Sequence, residues 1–345
     1  MPRSASRATA GAAVLSAALL VLSGCSSSPE ETPSGEASGN GGATLGTVET
    51  MFGTIEVPQP EDDLRVVALG WSDAEMALAL GVKPVAVFDW QSFGEEDKGV
   101  GPWASDLFED DMPEILERAD ETLNYEQIEV LDPDLILNVR SSNDEQEFNR
   151  LNEIAPTVYA PEGTAAFATS WDVQMTSVAA ALGESEQGES IIEDTRAAIA
   201  AAAAEHPEFE GLTTVAGTKF GDAYGAYLAG DGRFDILADL GFVNAPGVES
   251  LEPSGFFTAV SAEQVGALEA DVPVILPIGY TVAETQADPL LASLAAVQQG
   301  RAVFIDPEDE LSDAYSAASP LAIPVVLEEL VPQLAAAAAK VTPAG

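Results

Sequence analysis

Apolar runs bounded by turn residues alternate with amphipathic stretches along most of the chain. "RVVAL" (65–69), "VAVFD" (85–89), "DLILNV" (134–139) and "TVYA" (157–160) read as strands, because branched and aromatic residues cluster in them. "SDAEMALALG" reads as a helix with Ser72 at its N-cap and Gly81 at its stop, and "NDEQEFNRLNEI" and "SWDVQMTSVAAALG" as two more. Strands alternating with helices over short connections predict a parallel α/β sheet. A long helix then spans about 186–206, with its inward stripe at Ile191, Ile192, Thr195, Ala198, Ile199 and Ala202 and Pro207 as its stop. Beyond it the alternation restarts with "TTVAGTKF", "AYLAG", "RFDILADLG", "SAEQVGAL", "PVILPI" and "AVFID", and it closes on a helix within 319–340. The expected architecture is α/β, two Rossmann-like lobes joined by a single long linking helix: an N-terminal lobe at 47–184, the linker at 185–207 and a C-terminal lobe at 208–345.

One short element is written twice. "YEQIEVLDPDLIL" (125–137) recurs as "AEQVGALEADVPVIL" (262–276), each Glu-Gln leading through a leucine and an aspartate into an apolar run. The copies fall at the same late stage of the two expected lobes.

The amino terminus departs from this pattern. Arg3 and Arg7 precede a 12-residue apolar run at 11–22, too short to span a bilayer, and "LSGC" follows at 22–25; the arrangement reads as a secretory leader over 1–24. "LSGC" resembles a bacterial lipobox, which makes Cys25, the only cysteine in the chain, the expected lipid-bearing residue. Residues 25–46 are rich in Ser, Gly, Pro, Glu and Thr and read as a flexible tether. The expected location is the extracytoplasmic face of the cell membrane.

Charge then removes a class of partners. The chain has 58 acidic and 13 basic residues, a formal net charge of −45, so it cannot assemble the basic face that nucleic acid requires. Chemistry is equally constrained. His206 is the only histidine, which leaves no histidine-dependent triad, and no phosphate-binding or dinucleotide glycine motif occurs. What the strand ends do carry is aromatic and cationic: Trp71, Trp90, Trp103, Arg140, Arg233 and Tyr280. Singly, each reads as a core edge or a surface counter-charge. Together they describe a cleft with flat apolar walls and guanidinium donors, suited to a bulky ligand with acceptor oxygens.

The segments 50–87, "GVGPW", "YEQIEVLDPDLIL", "GRFDILADLGF" and "SPLAIPVVLEELVP" resemble bacterial substrate-binding lipoproteins of ABC importers for ferric siderophores, cobalamin and haem, over about 50–339. The resemblance implies a class III periplasmic-binding-protein fold, a shallow cleft, no catalysis, no cofactor and a monomer. It makes Glu126 and Glu263 the residues that dock on an ABC permease, through permease arginines. It gives ligand-contacting roles to Arg140 and Arg233, and to Tyr315 a place where some members reach iron. Where many catecholate binders carry a third arginine, this chain reads "LPIGYT", a departure that favours a hydroxamate-type ferric complex. A cobalamin or haem receptor is the alternative, with Tyr280 or Tyr315 as the axial ligand of haem; a carboxylate hydrolase or an adhesion module would require a different site or none.

Overall fold

The computed structural model describes residues 43–116 and 123–342. The expected leader, Cys25 and most of the tether lie outside the described residues.

The first element was not foreseen. Strands β1 (Thr44–Thr50) and β2 (Gly53–Pro58) form an antiparallel hairpin that begins within the stretch read as tether. Its alternating Val48, Thr50, Ile55 and Val57 turn inward, and Met51 N–H donates to the carbonyl of Ala160 at 2.9 Å.

The first lobe is an all-parallel sheet of β3 (Val66–Ala68), β4 (Ala86–Phe88), β5 (Glu114–Leu116), β6 (Leu135–Leu137) and β7 (Thr157–Val158), in the order β5-β4-β3-β6-β7. The order reverses between β3 and β6. Such a switch point opens a crevice outside the carboxyl ends of the two strands, and here those ends lead into Trp71 and Arg140.

Helix Ser185–Glu205 buries Gly188, Ile192, Thr195 and Ile199 as one stripe. Gly188 is needed there, since a Cβ would stand 2.4 Å from that of Ala179 on the neighbouring helix. Ile192 and Ile199 belong to the same buried cluster as Leu137 of the first lobe and Val274 of the second, so the linker is packed on both sides.

The second sheet contains β8 (Thr213–Phe220), β9 (Ala223–Tyr227), β10 (Val243–Asn244), β11 (Phe257–Val260), β12 (Val272–Ile278) and β13 (Val303–Phe304). It runs β11-β9-β8-β12-β13, with β10 paired to the start of β8. β12 and β13 continue the parallel pattern, but β9 and β11 are antiparallel: Gly221, at φ 50°, lets β8 turn straight back. This sheet is therefore mixed.

The echo has a structural meaning in this frame. β6 pairs with β3, and β12 with β8, so each copy feeds the strand beside the first parallel strand of its lobe. The repeated aspartates also act alike. Asp134 accepts from Arg65 N–H at 2.8 Å, and Asp271 from Thr213 N–H at 2.9 Å and its hydroxyl at 2.7 Å. Each carboxylate clips the incoming end of the neighbouring strand. The leading segments differ, the first being an α-helix (Tyr125–Val130) and the second a 3₁₀ helix (Ala262–Leu268).

Candidate functional site

The loop after β3 places Trp71 over the switch point. Its N–H donates to the carbonyl of Arg140 at 2.9 Å, and Gln174 donates to the carbonyl of Trp71 at 2.7 Å and to Asp73 at 2.6 Å. Asp73 also accepts from Val139 N–H at 2.7 Å. Burial pushes its carboxyl up to about 6 against these bonds. Gly70 makes this approach possible, because a Cβ would lie 2.3 Å from an Asp73 carboxylate oxygen. Ser72 takes the N-cap position of helix Asp73–Ala79 without capping it; at φ 61° its hydroxyl turns away and donates to the carbonyl of Ala317 at 3.0 Å.

Trp71 stacks on Trp90, with centroids 4.6 Å apart and planes 12° off parallel. Phe167 lies on Trp71 at 4.4 Å and Phe256 meets it edge-on at 5.7 Å. Phe167 holds a positive φ of 57°, a costly conformation for a bulky residue. Its amide donates to the carbonyl of Ser141, and its carbonyl accepts from Arg140.

Two cavities flank the tryptophan pair. One, about 560 Å³, is lined by Trp71 and Trp90 from the first lobe and by Phe220, Tyr227, Arg233, Phe256, Phe257 and Asp313, among others, from the second. The other, about 670 Å³, has Trp71, Trp90, Phe167, Tyr125 and Arg140 in its wall. Both volumes fall within the roughly 300–1,000 Å³ usual for small-molecule sites.

The arginines are already engaged. Asp231, fully buried, caps helix Gly232–Asp239 and accepts from Arg233 at two positions, each 2.7 Å. It also accepts from Arg140, 2% exposed, at 3.1 Å. Burial opposes ionisation of Asp231, but the two guanidiniums outweigh it and hold the carboxyl below its ordinary range. Arg140 further donates to the carbonyls of Ser316 and Ala317. Arg233 lies 3.5 Å over the Tyr227 ring, a cation–π contact. These bonds tie the two lobes together.

The residues expected from sequence thus divide. Trp71 and Trp90 line both cavities, Arg233 the first and Arg140 the second. Trp103 is turned away, its indole N–H on the buried carboxylate of Glu75 at 2.8 Å, and Glu75 also accepts from Ser319. The Tyr315 hydroxyl, buried, donates to the carbonyl of Arg233 at 2.7 Å, and the Tyr280 hydroxyl to that of Gly221 at 2.9 Å. None of these three lines either cavity. Glu126 and Glu263 are exposed, in the first turns of their segments. Phe167, Tyr227, Asp231, Phe256, Phe257 and Asp313 are additions. The adjacent aromatics after the "PSG" turn were a signal of two of them. Among the described residues no group of three or more His, Cys, Asp or Glu converges to hold a metal ion, and no helix is long and apolar enough to cross a membrane.

A family model for periplasmic binding proteins matches residues 66–309, from β3 to the start of the last helical region. The chain belongs to that family. It is a substrate-binding protein and not an enzyme, with two Rossmann-like lobes on one long linking helix. Among Bacillus subtilis proteins, the probable siderophore-binding lipoprotein YfiY is 35% identical over 179 residues, 51% of this chain and 49% of that protein, so the match spans about half its length. The Fe(3+)-citrate-binding protein YfmC is 27% identical over 295 residues, 85% of this chain and 87% of that one. The crystal structure of Streptococcus pneumoniae PiaA in complex with ferrichrome superposes with a TM-score of 0.71 at 26% identity, covering 86% of this binding protein and 99% of PiaA.

Proposed function

We propose that this protein captures a ferric siderophore, of the hydroxamate type, in the aromatic cavity beside Trp71 and Trp90 and delivers it to an ABC permease. The observation that carries this reading is the state of the arginines. Arg233, the guanidinium in that cavity, has two nitrogens on Asp231, and the buried triad it forms with Arg140 keeps a single formal positive charge, too little to match a catecholate or citrate complex with a high negative charge. Three hydroxamates neutralise Fe(III), and a neutral chelate suits apolar walls. The similarity to YfiY and PiaA supports the ligand class. The alternative cobalamin or haem reading gains nothing from the tyrosines singled out for it, since Tyr280 and Tyr315 donate to backbone carbonyls and line neither cavity.

Titration of tryptophan emission tests the ligand. A ferric trihydroxamate is expected to quench it at micromolar concentration through Trp71 and Trp90, with ferric catecholates at least tenfold weaker. No quenching by either, or equal quenching by haem, would overturn the assignment. In the same reading Cys25 carries a lipid that holds the protein at the outer face of the membrane, and Glu126 and Glu263 meet the permease. Charge reversal at both should abolish uptake while affinity stays as in the unaltered protein; lost affinity would place them in the binding site instead.

A further inference from the structure

Asp313 lines the aromatic cavity from helix Glu310–Ala317. It differs from the other charged groups around it. Arg233 is bidentate on Asp231, and Lys219, near the end of β8, is buried against Asp288 at 3.3 Å with its ammonium 4.7 and 4.8 Å from the rings of Tyr224 and Tyr280. Each of these cations has a carboxylate partner within the second lobe, Asp231 serving Arg140 as well. The Asp313 carboxylate, by contrast, has neither a hydrogen bond nor an ion pair among the described residues; Gln91 reaches only its backbone carbonyl, at 3.3 Å. Half-burial, with Glu310 as a second and smaller cause, raises its pKa, the signature of a carboxylate that lacks a counter-charge. It shares its cavity with Trp71, Trp90, Phe256 and Phe257. Aromatic rings together with a free carboxylate are the combination that takes up an organic cation, the rings through their quadrupoles and the carboxylate through direct attraction.

We infer that Asp313 and the surrounding rings form a subsite for a positively charged pendant group, such as a primary ammonium, on an otherwise neutral ferric chelate. The inference rests on the proposed ferric-hydroxamate reading and adds to it a selectivity the chelate itself cannot provide. A neutral chelate without such a group would fill the cavity and leave the carboxylate desolvated and unpaired, which disfavours it.

Two probes that differ only in this charge decide the matter: ferrioxamine B, whose pendant amine is protonated at neutral pH, and its N-acetylated derivative, which is neutral. Both present the same iron-hydroxamate core. The unaltered protein is expected to prefer the cationic complex at least tenfold at low salt, and Asp313→Asn to bring that ratio close to one, while Asp313→Glu restores part of it. Equal affinity for the two complexes in the unaltered protein, or an undiminished ratio in Asp313→Asn, overturns the subsite and leaves the hydroxamate reading standing. If neither complex binds, the hydroxamate reading falls and the subsite with it. Far-ultraviolet circular dichroism of each variant verifies that the ratios come from folded protein.

Discussion

In the first lobe the two strands beside the cleft, β3 and β6, are three residues long each, and the loops after them carry Trp71 and Arg140. In the second, β8 runs eight residues and turns directly into β9, while β12 runs seven beside it. One side of the cavity is therefore a pair of short-strand loops fixed by buried polar groups, and the other is a sheet fixed by its own backbone ladder. The same task, presenting flat side chains at a strand end, is met by different means. Side-chain carboxylates are expected to matter most on the first side and where the two sides meet.

The largest effect follows from that meeting point. Asp231→Ala would leave Arg140 and Arg233 buried without their shared carboxylate, a loss that typically costs about 3–5 kcal/mol. Chemical denaturation should show a drop of that size. A drop below about 1 kcal/mol would mean that the carbonyls around Arg140 suffice and that Asp231 does not tie the lobes.

Next comes a pH dependence that originates on the first side. Burial raises the carboxyl of Asp73 to about 6 in the folded protein, from an ordinary value of 3.8 when unfolded. Between those values the native state holds a proton that the unfolded state has lost, so this group's contribution to stability falls as pH rises from about 4 to about 6 and is level above that. The change is at most about 3 kcal/mol. Asp73→Asn should remove it: the stability difference between unaltered protein and variant, measured at pH 4 and at pH 7, must shift against the unaltered protein. A difference that stays flat would show that Asp73 titrates as an ordinary surface carboxyl.

This contrast also explains what could be read in advance. Parallel alternation and the linker are written in local periodicity, and Trp71, Trp90, Arg140 and Arg233 stood out because they follow apolar runs. Periodicity says where a strand ends but not where the next side chain points. Trp103 and Tyr315 also sit beside periodic elements, yet Glu75 draws the one inward and a backbone carbonyl of Arg233 holds the other. Asp231 and Asp313 were hidden for another reason. In a chain with 58 acidic residues a carboxylate becomes informative only when its partners, or its lack of them, are known. The hairpin β1–β2 escapes the pattern because it runs into the Gly- and Ser-rich tether, and the reversal of β9 because it rests on only two residues, Gly221 and Asp222, inside an otherwise alternating stretch.

The smallest effects test the echo itself. Asp134 and Asp271 sit at matching places before β6 and β12, but Asp134 accepts one backbone bond, in an exposed setting, and Asp271 accepts from an amide and a hydroxyl in a partly buried one. If both are strand clips, alanine at either should destabilise, by about 0.5–1 kcal/mol at Asp134 and about 1–3 kcal/mol at Asp271, where the buried donors lose their acceptor. Hydrogen exchange sharpens the comparison: the amide of Arg65 should lose protection in Asp134→Ala alone, and that of Thr213 in Asp271→Ala alone. Equal costs would mean that burial contributes little to either clip. No cost at Asp134 would leave the repeat, in the first lobe, without a structural reason and return the weight of explanation to Glu126 at its head.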